Sequence, residues 1–328
     1  MRQICAVARI SVISPDAVNG VCPSAGTHRS LEKRMAGLSL DLVALQLFAG
    51  LALGAIYVLF AIGLSLIFGM LTVVNFAHGA FYMVGAYAGV YILMLGGNFW
   101  ICLIAVPLAV GLFGLAVERV LIRPLYGRGI DYPLLLTFGL SYVMVELVRI
   151  AFGKTGYPFD TPEILQGAVN IGVGYFPLYR LFVIGATAAV LLALWLFLEK
   201  TSFGLIIRAG ARDPQIVRVL GVDVARVWLI VFGIGTAIAG FAGLLAAPLQ
   251  GVIPEMGGTI LAEAFVVTVV GGMGSIGGAV LAGLLVGVVV SMTSLFAPEM
   301  GKVSIFALMA VVLIVRPQGF FGRAGLMS

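Results

Sequence analysis

Gly50-Leu51-Ala52-Leu53-Gly54-Ala55-Ile56-Tyr57-Val58-Leu59-Phe60-Ala61-Ile62-Gly63-Leu64-Ser65-Leu66-Ile67 lies inside a run, 43–69, that holds no charged side chain. A stretch this long, apolar on every helical face, matches the roughly 20 residues a helix needs to cross a bilayer. Comparable runs follow at 77–95, 99–117, 132–152, 177–198, 227–247, 259–275, 277–296 and 302–315, which predicts eight or nine crossings. Across 328 residues, apolar types reach 62% and charged types only 10%, more hydrocarbon than a soluble core of this length can hide. A transmembrane β-barrel would instead show short strands of alternating polarity. The expected fold class is therefore all-α, a polytopic transmembrane helical bundle with a cytoplasmic helix described below. Its 44 glycines, about twice the usual share, suit close helix packing in lipid.

Lys and Arg give the orientation. Arg119, Arg123, Arg128, Lys200, Arg208, Arg212, Arg218, Arg226, Arg316 and Arg323 fall on one side of the predicted spans, against Arg149, Lys154, Arg180 and Lys302 on the other. The richer side is the cytoplasmic one. Arg2, Arg9, Arg29, Lys33 and Arg34 precede the first span and conflict with this parity. Either residues 43–69 turn back on themselves, or translation begins at Met35 and deletes all five; the second is preferred. The chain thus divides into an N-terminal arm, 1–40, a single transmembrane domain, 41–323, and a short tail, 324–328. Loop 153–176, rich in Gly and Pro, reads as an external hairpin-like segment or a plain connector.

The net charge of +5 comes from loops facing anionic lipid, and implies no nucleic acid. Cys5, Cys22 and Cys102 are too scattered for a metal site or a disulfide framework. Gly153-Lys154-Thr155 is the nearest fragment to a phosphate-binding loop, but Val148 stands where the earlier glycine belongs. His28 and His78 are far apart, and neither H-E-x-x-H nor G-x-S-x-G occurs. No catalytic residue, metal or cofactor is expected; if ATP drives this protein, another chain hydrolyses it.

Among ionisable residues in the spans, Glu146 can pair with Arg149 near the outer surface, whereas Glu263 either lines a pathway or makes a structural hydrogen bond. His78, in Asn75-Phe76-Ala77-His78-Gly79, reads as a capping or packing residue or as a solute contact. The run Gly271-Gly272-Met273-Gly274-Ser275-Ile276-Gly277-Gly278 breaks a span, and backbone turns there only if buried in protein or facing a wet cavity. In the basic segment 199–226, Asp213 can cap a helix with Pro214 at its first position and Gly221 at its end. The resulting short amphipathic helix either coats the cytoplasmic surface or docks in a partner's groove.

At these residues the chain resembles the LivH-type permeases of branched-chain amino acid ABC importers, over about residues 45–323. The similar stretches are Gly50 to Tyr57, Asn75 to Gly79 with Gly85-Ala86-Tyr87, Glu118-Arg119 with Arg123-Pro124-Leu125, Arg208 to Asp213 with Leu220 to Asp223, and Gly271 to Gly278. The resemblance implies a permease subunit in the bacterial inner membrane, working with a second related permease, two ATP-binding subunits and a periplasmic solute-binding protein. It also implies that Arg208, Ala209, Ala211, Arg212, Asp213, Leu220, Gly221 and Asp223 form the ATPase-coupling segment, related to the EAA loop of other importers. Here Arg208-Ala209-Gly210-Ala211 stands in place of the Glu-Ala-Ala opening, while Gly221 matches that loop's glycine. Asn75, His78, Gly79, Glu263, Gly271, Gly272 and Gly274 are expected to shape the translocation region. The rival class is an ion-gradient-driven secondary transporter or channel, against which the scarcity of intramembrane carboxylates argues.

Overall fold

A computed structural model describes residues 25–71, 74–129, 131–172 and 174–322. The chain separates into two compact units, Met1–Leu42 and Val43–Ser328, and the second is a helical bundle. The described helices are α1 (Ala25–Leu71), α2 (His78–Met94), α3 (Phe99–Val117), α4 (Asp131–Phe152), α5 (Leu178–Lys200), α6 (Ser202–Gly210), α7 (Pro214–Val219), α8 (Val224–Gln250), α9 (Met256–Gly271), α10 (Ile276–Phe296) and α11 (Gly301–Val315). Seven stretches are long and apolar enough to cross a membrane, while α2 and α9 are apolar but shorter. The protein is a multi-pass, all-α membrane protein, and the predicted eight or nine crossings are roughly consistent with these seven spans and two shorter apolar helices. Helix α1 runs unbroken through 43–69, so that segment does not turn back. Arg2, Arg9, Arg29, Lys33 and Arg34, and Arg323, fall where side chains lie outside the described residues.

Contacts at the helix ends sort the loops into two groups. The link 251–255 meets the loop after α4, where Tyr157 and Val252 form a two-way backbone bridge. At the other end, Phe320 N and Phe321 N donate to the carbonyls of Val270 and Gly271, and Gly274 lies against Gly69. The basic segments 118–128 and 200–226 belong to this second end, which the charge rule makes the inner face. The outer loop 153–177 contains a short antiparallel pair, β1 (Ala168–Asn170) and β2 (Tyr175–Pro177), with Val169 opposite Phe176. It is hairpin-like rather than a bare connector.

Glycine decides how closely the helices approach. Lipid offers helices no hydrophobic drive to associate, so packing of backbone on backbone matters more than in water. On α1 and α10, two G-x-x-x-G pairs face each other: a Cβ on Gly287 would lie 2.3 Å from Gly54 N, and one on Gly283 3.0 Å from Val58 N. Gln46 Nε2 donates to Ser291 O while Ser291 Oγ donates to Gln46 O, both at 2.8 Å, closing this seam with reciprocal polar bonds. Helix α8 runs through the middle, with Gly240 against Gly85 of α2 and Gly243 against the Tyr82 carbonyl.

The two short helices explain why two spans looked doubtful from sequence. Helix α2 rises toward the outer face and α9 descends toward the inner one, yet their first turns meet. A Cβ on Gly79 would sit 2.1 Å from the Gly257 carbonyl oxygen, and one on Gly257 2.3 Å from that of Gly79. Helices of 17 and 16 residues, at about 1.5 Å per residue, fall short of a hydrocarbon layer of about 30 Å. Both begin inside the protein, where irregular backbone is shielded from lipid.

This packing predicts a contrast between two alanines. In Gly85→Ala the new methyl would lie 2.2 Å from the Gly240 carbonyl oxygen and 2.4 Å from its Cα, backbone that has no rotamer to relax. Gly139→Ala on α4 meets open space. Thermal unfolding in detergent should show Gly85→Ala destabilised by about 1–3 kcal/mol and Gly139→Ala at or slightly above the parent.

Candidate functional site: an outer cavity and an inner helical ridge

Where α8 ends and α9 begins, a cavity of 490 Å³ opens toward the outer face. Its polar lining is Tyr57 of α1, Gln250 of α8, Thr259 and Glu263 of α9, Ser294 of α10 and Lys302 of α11. Thr259 and Glu263 are four residues apart and therefore stack on one helical face. Glu263 is 8% exposed, in a position where an ionised carboxylate is costly unless a cation, hydroxyl or water attends it. Tyr57 and Tyr82 both approach it. Lys302 is exposed at the rim. Glu263 and Lys302 do not form an ion pair, with each other or with any described residue. Glu263 lines this cavity and also has the Tyr57 hydroxyl as a hydrogen-bond partner.

The outer rim is tied by Arg149, which reaches Glu146 at 3.0 Å and Glu255 at 2.5 Å. The pairing with Glu146 was expected; that with Glu255, on the link into α9, was not. The Arg149 hydrogen bond holds the Glu255 carboxyl below the usual carboxylate range. The link that frames the cavity is thereby fastened to α4.

The other expected translocation residues are elsewhere. Asn75 Oδ1 accepts from Ala77 N at 3.1 Å, and Asn75 O accepts from His78 N at 3.1 Å, shaping the turn into α2. His78 is fully buried, with Nε2 3.3 Å from the Phe60 carbonyl and its ring edge-on to Phe60. Gly79 makes the α2–α9 contact. Gly271, Gly272 and Gly274 lie at the opposite end of α9 from the cavity, where Gly272 and Gly274 have φ of +98° and +79°. A Cβ on Gly272 would meet Gly322 N at 2.3 Å. The glycine run is thus a packed inner turn, and the structure does not bring it together with Glu263.

At the inner face the segment 199–226 forms two short helices. Thr201 caps α6, accepting from Gly204 N, and Asp213 caps α7, accepting from Gln215 N and Ile216 N at 2.9 and 3.0 Å. Gly221 has φ +83°, ending α7 in a left-handed conformation, and Asp223 caps α8. Arg208, Ala209 and Ala211 therefore belong to the end of α6, and Arg212 to the turn that follows it. Val217 anchors α7 inward, while Ile216, Val219 and Leu220 point outward, Val219 at 87% exposure. An outward apolar row flanked by Arg212 and Arg218 is unsuited to water alone.

This ridge connects to the bundle through aromatic residues that sequence reasoning missed. The Arg218 guanidinium lies 5.8 Å from the Trp228 ring centre, and Tyr126 meets Trp228 edge-on at 4.8 Å. The Tyr126 hydroxyl donates to Glu118 Oε1 at 2.6 Å. Glu118 is fully buried and opens a π-helical turn, Glu118–Ile122, at the inner end of α3. A contact chain therefore runs from α7 through α8 to α3.

With this geometry in view, comparison with known proteins is decisive. Residues 46–313 match the family described as "Branched-chain amino acid transport system / permease component". The chain belongs to that permease family. It is 32% identical to the high-affinity branched-chain amino acid transport system permease protein LivH of Salmonella typhimurium, over 85% of this chain and 95% of that one. BraD of Pseudomonas aeruginosa, with the same description, is 32% identical at the same coverage. LivM of Salmonella typhimurium, another permease protein of that description, is 30% identical over 80% of this chain and 67% of its own. As a member of this permease family the chain is a transport component rather than an enzyme, and its cavity and ridge are read as parts of a transporter.

The permease's aromatic chain makes a measurable prediction. Trp228→Ala removes the ring that Arg218 covers, a contact worth about 0.5–1 kcal/mol at an exposed site. Hydrogen exchange across 214–221 should quicken about two- to fivefold, while exchange in the middle of α8 stays unchanged; equal rates in both proteins would show that α7 is held by other contacts.

Proposed function

We propose that this chain is the membrane-spanning subunit of an ATP-driven ABC importer in a bacterial inner membrane. It translocates branched-chain amino acids, or a related small polar solute, delivered by a periplasmic binding protein. Membership in the permease family supports this reading, and the observation that carries it is the ridge of α6 and α7. An importer permease of this kind has to present its motor with a rigid, surface-raised element. Here Arg208, Ala209, Ala211, Arg212, Leu220, Gly221 and Asp223 are exposed, while Val217 and the three caps hold the backbone in place.

Closure of two ATP-binding subunits would pull on this ridge, and rigid helices would carry the displacement through Trp228 and Tyr126 into α3 and α8. The solute crosses without covalent change. That the same Salmonella carries relatives called LivH and LivM, both permease proteins, supports pairing with a second related permease. ATP hydrolysis falls to the ATP-binding subunits, since this chain's sequence carries no G-x-x-x-x-G-K-[ST] phosphate-binding loop.

Co-expression with the ATP-binding subunits tests this. Gly221→Pro cannot keep φ near +83° because proline fixes φ near −65°, and Leu220→Glu puts a charge in the outward apolar row. Both variants should insert in the membrane at parental levels; co-purification of the ATPase should be lost in the first and fall about tenfold or more in the second. Normal co-purification in both, or uptake that survives ATP depletion and follows a proton or sodium gradient, would contradict the proposal.

A further inference from the structure

Two buried polar atoms at the inner end of the bundle lack a partner, and their chemistry is complementary. Among the described residues nothing bonds Glu118 Oε2, an acceptor, and nothing bonds Trp228 Nε1, whose N–H is a donor. Glu118 is fully buried, and the half-buried Trp228 has its Nε1 enclosed. A bond left unmade in such surroundings is costly, and a second arrangement that makes it accounts for both atoms at once.

Tyr126 stands between the two. Its hydroxyl donates to Glu118 Oε1 at 2.6 Å, and its ring meets the Trp228 indole edge-on with centroids 4.8 Å apart. Helix α8, which carries Trp228, also packs on the π turn that Glu118 opens. Arg119 and Arg123 lie near enough to attract the carboxylate, yet neither forms an ion pair with it. From the ridge, the Arg218 guanidinium lies 5.8 Å from the centre of the same indole. The π turn, closed by Arg123 N donating to the Glu118 carbonyl, is a common seat for a functional joint in a helix.

We propose that Glu118, Tyr126 and Trp228 form a two-position latch that couples the inner ridge to α3. In the first position, the one in this structure, Tyr126 holds the carboxylate and Arg218 covers the indole. In the second, Tyr126 swings aside and the Trp228 N–H donates to Glu118, tying the inner ends of α3 and α8 directly. Displacement of α7 draws Arg218 off the indole and so favours the second position. A motor shifts such a latch only by preferring one position over the other. The inference rests on the permease reading and deepens it, because it names the residues through which α3 senses the ridge. They are positioning residues, at the opposite end of α8 from the outer cavity.

Two conservative variants separate the positions. Tyr126→Phe deletes the bond of the first and keeps the ring; Trp228→Phe deletes the N–H of the second and keeps an aromatic face for Arg218. The full chain in lipid nanodiscs, with Trp100→Phe and Trp195→Phe, carries a single indole whose N–H proton resonance reports the bond. In Tyr126→Phe that resonance should move downfield, as a new bond to a carboxylate requires, and adding Glu118→Leu should return it. An unmoved resonance would overturn the latch. In the complete importer in proteoliposomes, the two variants should act in opposite directions. Tyr126→Phe should raise ATP hydrolysis without solute about tenfold, and Trp228→Phe should lower hydrolysis stimulated by leucine-loaded binding protein about tenfold. The ATP-binding subunits should co-purify at parental levels in both. Changes of the same sign, or none, would also overturn the latch, because residues that merely pack the ridge would weaken coupling together. If the parental assembly hydrolyses no ATP in response to leucine-loaded binding protein, the permease reading fails, while the indole resonance of the chain alone still decides the latch.

Discussion

Inside a bilayer a backbone has only other protein to satisfy it, and this molecule meets that constraint by pressing glycine backbones together. Gly54 against Gly287, Gly85 against Gly240 and Gly79 against Gly257 leave no space for even a methyl group. Because α2 and α9 start against each other, the first turn of α2 is buried beside Phe60 of α1, while that of α9 lies at the cavity wall. The cavity exists for the same reason. Since α9 begins below the outer ends of α8, α10 and α11, those three helices rise around a recess whose wall is the first two turns of α9.

The recess and the ridge are at opposite ends of the same helices. Helix α8 begins at the Asp223 cap beside α7 and ends at Gln250 in the cavity wall. A displacement applied at its first turn therefore reaches the recess through one close-packed element, with Trp228 as its inner handle. Close packing transmits strain rather than absorbing it.

Much of the fold is legible in the sequence, because a charge-free run of twenty-odd residues has one stable solution in lipid. The caps of α7 are equally legible: Asp213, Pro214 and Gly221 have chemical roles that depend only on their immediate neighbours. Contacts between distant residues are not. Tyr57 and Lys302 are 245 positions apart and meet in the cavity only because α1 and α11 both adjoin α9 and α10. Glu118 looks like any helix-end acid until Tyr126 and Trp228 close over it. The glycine run at 271–278 reads as a pathway element, yet the C-terminal segment packs on it and makes it an inner turn. Lys302 left one signal, a lone cation in the first turn of an otherwise apolar span.

The arrangement itself, an outward recess at one end and an exposed ridge at the other, is tested by labelling from one side of the membrane. In a Cys102→Ala background, with Cys5 and Cys22 also replaced, single cysteines at Thr259, Ser294 and Val219 are exposed to a membrane-impermeant maleimide in intact spheroplasts. The account predicts labelling of Thr259→Cys and Ser294→Cys from outside, and of Val219→Cys only after the membrane is opened. Labelling of Val219→Cys in sealed spheroplasts, or failure of both cavity positions to react until lysis, would contradict it.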